Sequence, residues 1–173
     1  MKDSTIKYYS NYTKITFIGI AVLMLLCFFI IKPWNKKQVI DWDISYYYSY
    51  LPATFIYGDY NFNEKDSLWT TAHFRFTQLE DGGQTPKMTA GLAVLYSPFF
   101  LAAHAYASLS EYYPANGFST PYQFSILFSA LVYALIGLWF FGKWMRYFFS
   151  SAVVASCMAL LYLGTNIFYL QPF

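Results

Sequence analysis

Charged side chains are scarce in this sequence of 173 residues. Asp, Glu, Lys and Arg make up 12% of the chain, about half of the fraction that is usual in soluble domains. Hydrophobic residues reach 57% and aromatic residues 24%. The net charge of +2 gives no indication of a nucleic-acid-binding surface. This composition predicts an integral membrane protein.

Cysteine is also scarce. The two cysteines, Cys27 and Cys157, each lie in a hydrophobic segment, where a thiol packs as a small apolar group more often than it forms a disulfide or binds a metal. The first hydrophobic segment is followed by residues 32–35, which lack a small-residue cleavage motif. It is therefore interpreted as an uncleaved signal anchor and not as a signal peptide.

Three hydrophobic segments without a charged residue predict transmembrane helices: residues 15–31, 124–141 and 152–170. Each is close to the roughly 20 residues that cross a hydrocarbon core. A fourth apolar run, residues 90–109, contains Pro98 in its middle and follows a polar stretch. It predicts a helix that lies in the membrane interface, with a full crossing as the alternative.

The charges beside residues 124–141 predict an orientation. Lys143 and Arg146 follow this span, whereas Glu111 is the one charged residue in the stretch before it, so its C-terminal end is predicted to be cytoplasmic. If residues 90–109 do not cross, residues 33–123 are external. If they do cross, the loop of residues 33–89 is cytoplasmic. Three lysines flank the first span on each side, so the local charge does not decide between these two topologies.

The favoured fold is an all-α membrane protein with about three transmembrane helices and an external loop that carries juxtamembrane amphipathic helices. The predicted order begins with a cytoplasmic N-terminus at residues 1–14 and the first span at residues 15–31. The external loop at residues 32–123 carries interfacial helices at residues 44–57 and 90–109. The second span at residues 124–141, a cytoplasmic loop at residues 142–151 and the third span at residues 152–170 follow. A break near Pro52, a short strand over residues 70–77 and a turn at residues 81–83 are also expected. Three helices enclose little space, so we expect the chain to be truncated after Phe173.

Two carboxylates, Asp41 and Asp43, stand just past the first span and are followed by a run of tyrosines. Tyrosine suits this depth because it offers an apolar ring and a polar tip. Asp43 has the chemistry of a general base or a metal ligand. The alternative is that Asp43 or Ser45 caps a helix. Tyr46 and Tyr47 are candidates for a sugar-binding platform, with membrane anchoring as the more common role.

Three further polar residues are candidates for binding or structure. Lys87 stands just before the apolar run that begins at residue 90. Its ammonium group can bind a lipid phosphate there. The alternative is that the side chain only extends towards the membrane interface and binds no ligand. Arg75 shares a predicted strand face with His73, and together they offer anionic contacts or a solvated surface. His104 is expected to be a hydrogen-bonded structural residue.

Two motifs resemble those of the GT-C-fold membrane glycosyltransferases, especially the mannosyltransferase and aminoarabinose-transferase type. Asp43-Ile44-Ser45-Tyr46-Tyr47 is similar to the family's Asp-Glu-x-Tyr-Tyr motif in the first external loop, with Ile44 in place of the second acidic residue. Lys87-Met88-Thr89-Ala90-Gly91 occupies the place of a Lys-Pro-Pro-like motif before a later amphipathic helix, without the proline pair. The resemblance extends over most of the chain from Lys14 onward.

The resemblance implies a multi-pass protein of the bacterial inner membrane that transfers a sugar from a polyprenyl-phosphate donor to an acceptor it does not identify. Asp43 would be the catalytic carboxylate, as a base or as a ligand of a divalent metal ion, and Asp41 its substitute. Lys87 would bind the donor phosphate, with Tyr46, Tyr47 and Arg75 as further substrate contacts. A non-enzymatic polytopic membrane subunit or a transporter fragment is the alternative.

Overall fold

The computed structural model describes residues 2–35, 39–59, 62, 76–80 and 83–164, with the side chains of residues 2–10 excepted. The described chain is mostly helical. Its helices are α1 to α6 in chain order, at Lys2–Ile31, Trp42–Tyr48, Tyr50–Pro52, Gly91–Leu109, Thr120–Met145 and Ser151–Leu163. A 3-10 turn at Pro33–Asn35 follows α1, and a π-helical segment at Ala53–Tyr57 follows α3.

Three described helices are long and apolar enough to cross a membrane: Asn11–Asn35, Gly91–Leu109 and Thr120–Met145. The first and third include the predicted spans at residues 15–31 and 124–141. Gly91–Leu109 is the run that we expect to lie in the interface, and that expectation stays a prediction. The last predicted span begins as the apolar helix α6, and its residues 165–170 lie outside the described residues.

The chain divides into two compact units. The first unit contains Met1–Pro33 and Ala130–Phe173, and the second contains Trp34–Ser129. In the first unit α1 packs against α6. The contact includes a polar pair, in which the Thr13 backbone N–H donates to Ser151 Oγ at 3.1 Å and the two hydroxyl oxygens lie 2.8 Å apart. These bonds satisfy polar groups between apolar helices and fix the two helices at the same level.

The second unit has an aromatic core built around Phe100 of α4. Tyr48 of α2 and Tyr122 of α5 are fully buried beside it, with ring centroids 5.7 and 5.4 Å from that of Phe100. Burial, together with the nearby Tyr122 and Tyr57, raises the pKa of Tyr48 well above its ordinary value. The Tyr48 hydroxyl therefore stays protonated and donates a hydrogen bond to the Gly117 carbonyl.

Gly117, whose carbonyl accepts this bond, lies where the loop needs a glycine. Its φ of +84° lies in the left-handed region, and a Cβ atom would stand 2.9 Å from Pro52 Cβ. A side chain at this position would be strained by its own backbone and by the neighbouring proline. The loop thus lies directly against the break after α2.

The structure confirms several local predictions. The helix after residue 41 is interrupted at Ser49, and a π-helical segment follows Pro52. His104 is a hydrogen-bonded structural residue, since its Nδ1 lies 2.6 Å from the Tyr122 hydroxyl and its ring stacks on Phe100. Of the predicted strand, Phe76–Gln78 forms β1, paired antiparallel with β2 at Gln84–Pro86, whereas residues 70–75 and 81–82 lie outside the described residues.

Candidate functional site

Asp41 and Asp43 have different positions at the start of α2. Asp41 has an extended backbone and its carboxylate accepts the Trp42 backbone N–H at 2.8 Å, so Asp41 is the N-cap. The expectation that Asp43 or Ser45 caps this helix is wrong. The reason is that Trp42, with φ of +48°, already turns the chain into the helix two residues earlier than Asp43 would.

Asp43 lies in the first turn of α2 and is exposed. Its carboxylate forms no salt bridge with a described residue, so it can accept a proton or a hydrogen bond from a ligand. Asp41 is half-buried and its carboxylate already bonds the backbone. Of the two predicted carboxylates, Asp43 is the exposed one, and its side chain has no structural partner among the described residues.

The tyrosines after Asp43 divide between core and surface. Tyr46 is 8% exposed and Tyr48 fully buried, whereas Tyr47 is half-buried. Tyr47 therefore offers a ring to a ligand more readily than Tyr46 does. Tyr48 belongs to the core of the second unit and Tyr50 packs against that core, which a membrane-anchoring interpretation does not anticipate.

In the second unit Tyr50, three residues after the first motif, contacts Met88 of the second motif. Helices α2 and α3 pack against α4, and the Tyr50 hydroxyl donates to the Met88 carbonyl at 2.7 Å. Lys87, the neighbour of Met88, is exposed and directly follows β2. The structure thus ties the segment that carries Asp43 to the segment that carries Lys87, although 44 positions separate them in the sequence, from residue 43 to residue 87.

Arg75, a predicted substrate contact, and His73, which shares its predicted strand face, lie outside the described residues. Asp43 was also predicted to be the ligand of a divalent metal ion, if one binds. Within the described ranges no group of three or more His, Cys, Asp or Glu side chains is arranged to hold a metal ion. The metal-ligand role of Asp43 stays a prediction.

A groove of about 470 Å³ in the second unit was not anticipated from the sequence. Aromatic and small apolar residues of α4 and of the start of α5 form most of its lining, and Trp34 and Tyr113 complete it. The lining residues in these two helices include Phe99, Ala103, Tyr106, Phe124 and Phe128. Trp34 packs edge to face on Phe124 at 5.0 Å, and Phe124 stacks on Phe128 at 5.5 Å. Its residues come from positions 34 to 128, so no local sequence pattern marks it.

Comparison of the chain with protein-family models, with curated proteins and with solved structures finds no match.

Proposed function

We propose that this chain is the N-terminal part of a membrane glycosyltransferase of the bacterial inner membrane, which transfers a sugar from a polyprenyl-phosphate donor on the external face. Asp43 takes the proton of the acceptor hydroxyl as its oxygen attacks the anomeric carbon. The bond between that carbon and the phosphate oxygen breaks, with inversion at the sugar. Lys87 stabilises the negative charge that develops on the departing phosphate.

The observation that carries this proposal is the packing of the two motif segments in one unit. The bond from Tyr50 to the Met88 carbonyl holds the segment after Asp43 against the segment of Lys87. Both charged side chains are exposed and form no salt bridge with each other among the described residues. An unpaired carboxylate and an unpaired ammonium group on adjoining segments are what a base and a phosphate-binding group require.

The aromatic groove of the second unit supports the choice of a lipid-linked donor. Its walls are apolar and include the exposed Tyr106 beside Phe99. An isoprenoid chain is apolar, so a groove lined mostly with apolar side chains suits it. The proposal therefore places part of the donor's tail in this groove.

The proposed external position rests on the first unit. The bond between Thr13 and Ser151 places the N-terminal part of α1 beside the start of α6, and hence on the side where α5 ends. Lys14, Lys143 and Arg146 all belong to these segments, and the positive-inside rule makes their side cytoplasmic. The chain between α1 and α5 then leaves and re-enters the bilayer on the external side.

Cysteine labelling in intact cells tests this orientation. In a background with Cys27→Ala and Cys157→Ala, we expect Thr89→Cys to react with a membrane-impermeant maleimide. Tyr147→Cys, which replaces a residue that is 78% exposed, should react only after the membrane is permeabilised. Labelling of Tyr147→Cys but not of Thr89→Cys in intact cells would reverse the orientation and remove the proposed site from the external face.

Lys87→Gln tests the phosphate contact. A hydrogen bond to a charged group contributes roughly 1.5–3 kcal/mol, so kcat/KM for the polyprenyl-phosphate sugar should fall by roughly 10- to 100-fold. Lys87→Arg keeps the charge and should recover part of the loss, while Lys32→Gln, which removes a cation elsewhere, should leave the rate unchanged. The assay measures sugar transfer by the protein of the complete reading frame in membrane vesicles. Equal rates for Lys87→Gln and Lys32→Gln would contradict the assignment.

A further inference from the structure

A second cavity lies wholly within the first unit and is lined by three cations. It measures about 390 Å³ and is formed by residues of α1, α5, α6 and the turn after α5. Lys14, Lys143 and Arg146 contribute the charges, and none of the described side chains that line the cavity is acidic. Three positive charges at one cavity repel each other, so the arrangement favours an anionic occupant.

Four side chains form the apolar part of the lining, which is called the floor here, and the three cations form the rim. The four are Phe17, Ile18, Trp139 and Met158. Gly142 lets α5 approach its neighbours, because a Cβ at this position would stand 2.9 Å from Met158 Sδ. The cavity therefore combines a charged rim with an apolar floor, and its walls come from packed helices.

The rim groups have the chemistry of a phosphate site. Lys143 Nζ lies 5.0 Å from the centroid of the Trp139 ring, which holds the ammonium group over the apolar floor. Lys14 and Arg146 are exposed, and none of the three cations forms a salt bridge with a described residue. Lysine binds phosphate as a point charge and arginine binds it through a planar pair of donors.

We propose that this cavity binds the headgroup of an anionic phospholipid, with the phosphate between Lys14, Lys143 and Arg146 and an acyl chain along Phe17 and Ile18. A free phosphate would use the rim alone, whereas a phospholipid uses the rim and the apolar floor together. Basic pockets between transmembrane helices recognise anionic lipids in this way. The site shares no residue with the proposed donor site, which is built from residues of the second unit.

Native mass spectrometry of the purified protein in detergent micelles tests the proposal, with equal amounts of phosphatidylglycerol and phosphatidylcholine added. The wild type should retain phosphatidylglycerol in preference to phosphatidylcholine. Removing one cation with Lys143→Gln or Arg146→Gln should lower this preference about fivefold, and the double variant should lower it further. Lys32→Gln is the matched control for the loss of one charge and should keep the wild-type preference.

Three outcomes would overturn the assignment. The wild type could retain the two lipids equally, or Lys32→Gln could lower the preference for phosphatidylglycerol as much as Lys143→Gln does. The third is that sn-glycerol 3-phosphate binds as strongly as the lipid. The last would identify a free phosphate as the occupant. Lys143→Arg separates charge from folding, since it should keep the preference. A loss of preference with Lys143→Arg equal to that with Lys143→Gln would contradict a charge-based site.

Discussion

Replacing Asp43 with Asn should lower the rate of sugar transfer by about 1,000-fold while the protein remains folded and inserted. Asn has almost the same shape as Asp but cannot accept the proton of an acceptor hydroxyl. Asp43 is exposed and bonds no described side chain, so the change should not alter the unfolding midpoint. The measurement is the turnover of a polyprenyl-phosphate sugar by the protein of the complete reading frame, together with an unfolding curve of each variant in detergent.

Asp41→Asn is the matched control for this experiment. Asparagine caps a helix about as well as aspartate, so the bond to the Trp42 N–H and the start of α2 should persist. We expect Asp41→Asn to retain most of the activity. If Asp41→Asn abolished transfer while Asp43→Asn left it within about twofold, the roles proposed for the two carboxylates would be reversed.

The same pair of variants separates an enzyme from a non-enzymatic membrane subunit. A subunit that binds a partner through its aromatic surface has no need of the Asp43 carboxylate. It would tolerate Asp43→Asn and lose its function when exposed rings such as Trp42, which is 80% exposed, are replaced. Full activity of Asp43→Asn in the transfer assay would therefore refute the proposed catalytic role.

Phe100→Ala should destabilise the protein by about 3–5 kcal/mol, the usual cost of removing a buried aromatic ring. Phe100 has no exposed surface, and its ring contacts Tyr48, Tyr122 and His104. Alanine would leave a cavity between α2, α4 and α5 that these rings cannot fill without leaving their hydrogen bonds. The helix that carries Asp43 would lose its main support.

Leu101→Ala is the control for Phe100→Ala, because it is the adjacent residue of the same helix and is 42% exposed. Its truncation should cost less than about 1 kcal/mol, since half-exposed side chains leave no closed cavity. Denaturant unfolding of both variants in mild detergent, followed by tryptophan fluorescence, measures the difference. Equal destabilisation by the two variants would show that α4 does not pack through Phe100.

Composition and apolar length were enough to predict a mostly helical chain with helices long and apolar enough to span a membrane. The segments around residues 15–31 and 124–141 are recognisable because about 20 uncharged apolar residues have few other stable environments. The break near Pro52 was predictable for a similar reason, because a proline cannot continue the backbone hydrogen bonding of a helix. These features depend on residues that are close in sequence.

The cap of α2 shows where local reasoning fails. Asp41 and Asp43 are equally suited to capping by residue type, and the choice between them depends on the backbone of Trp42. The tyrosines after Asp43 were also ambiguous. Their pattern suits a membrane interface, yet Tyr48 is buried in a core that α4 and α5 complete, and Tyr46 is also buried.

The sequence by itself determined that the chain is apolar and helical, because hydrophobicity and backbone restriction act over neighbouring residues. Tertiary structure alone decided which polar groups meet. The contact of Tyr50 with Met88 and the common cavity of Lys14, Lys143 and Arg146 join residues that lie far apart in the chain. Such contacts arise when helices pack, and helix packing depends on the shapes of whole faces that no short stretch of sequence specifies.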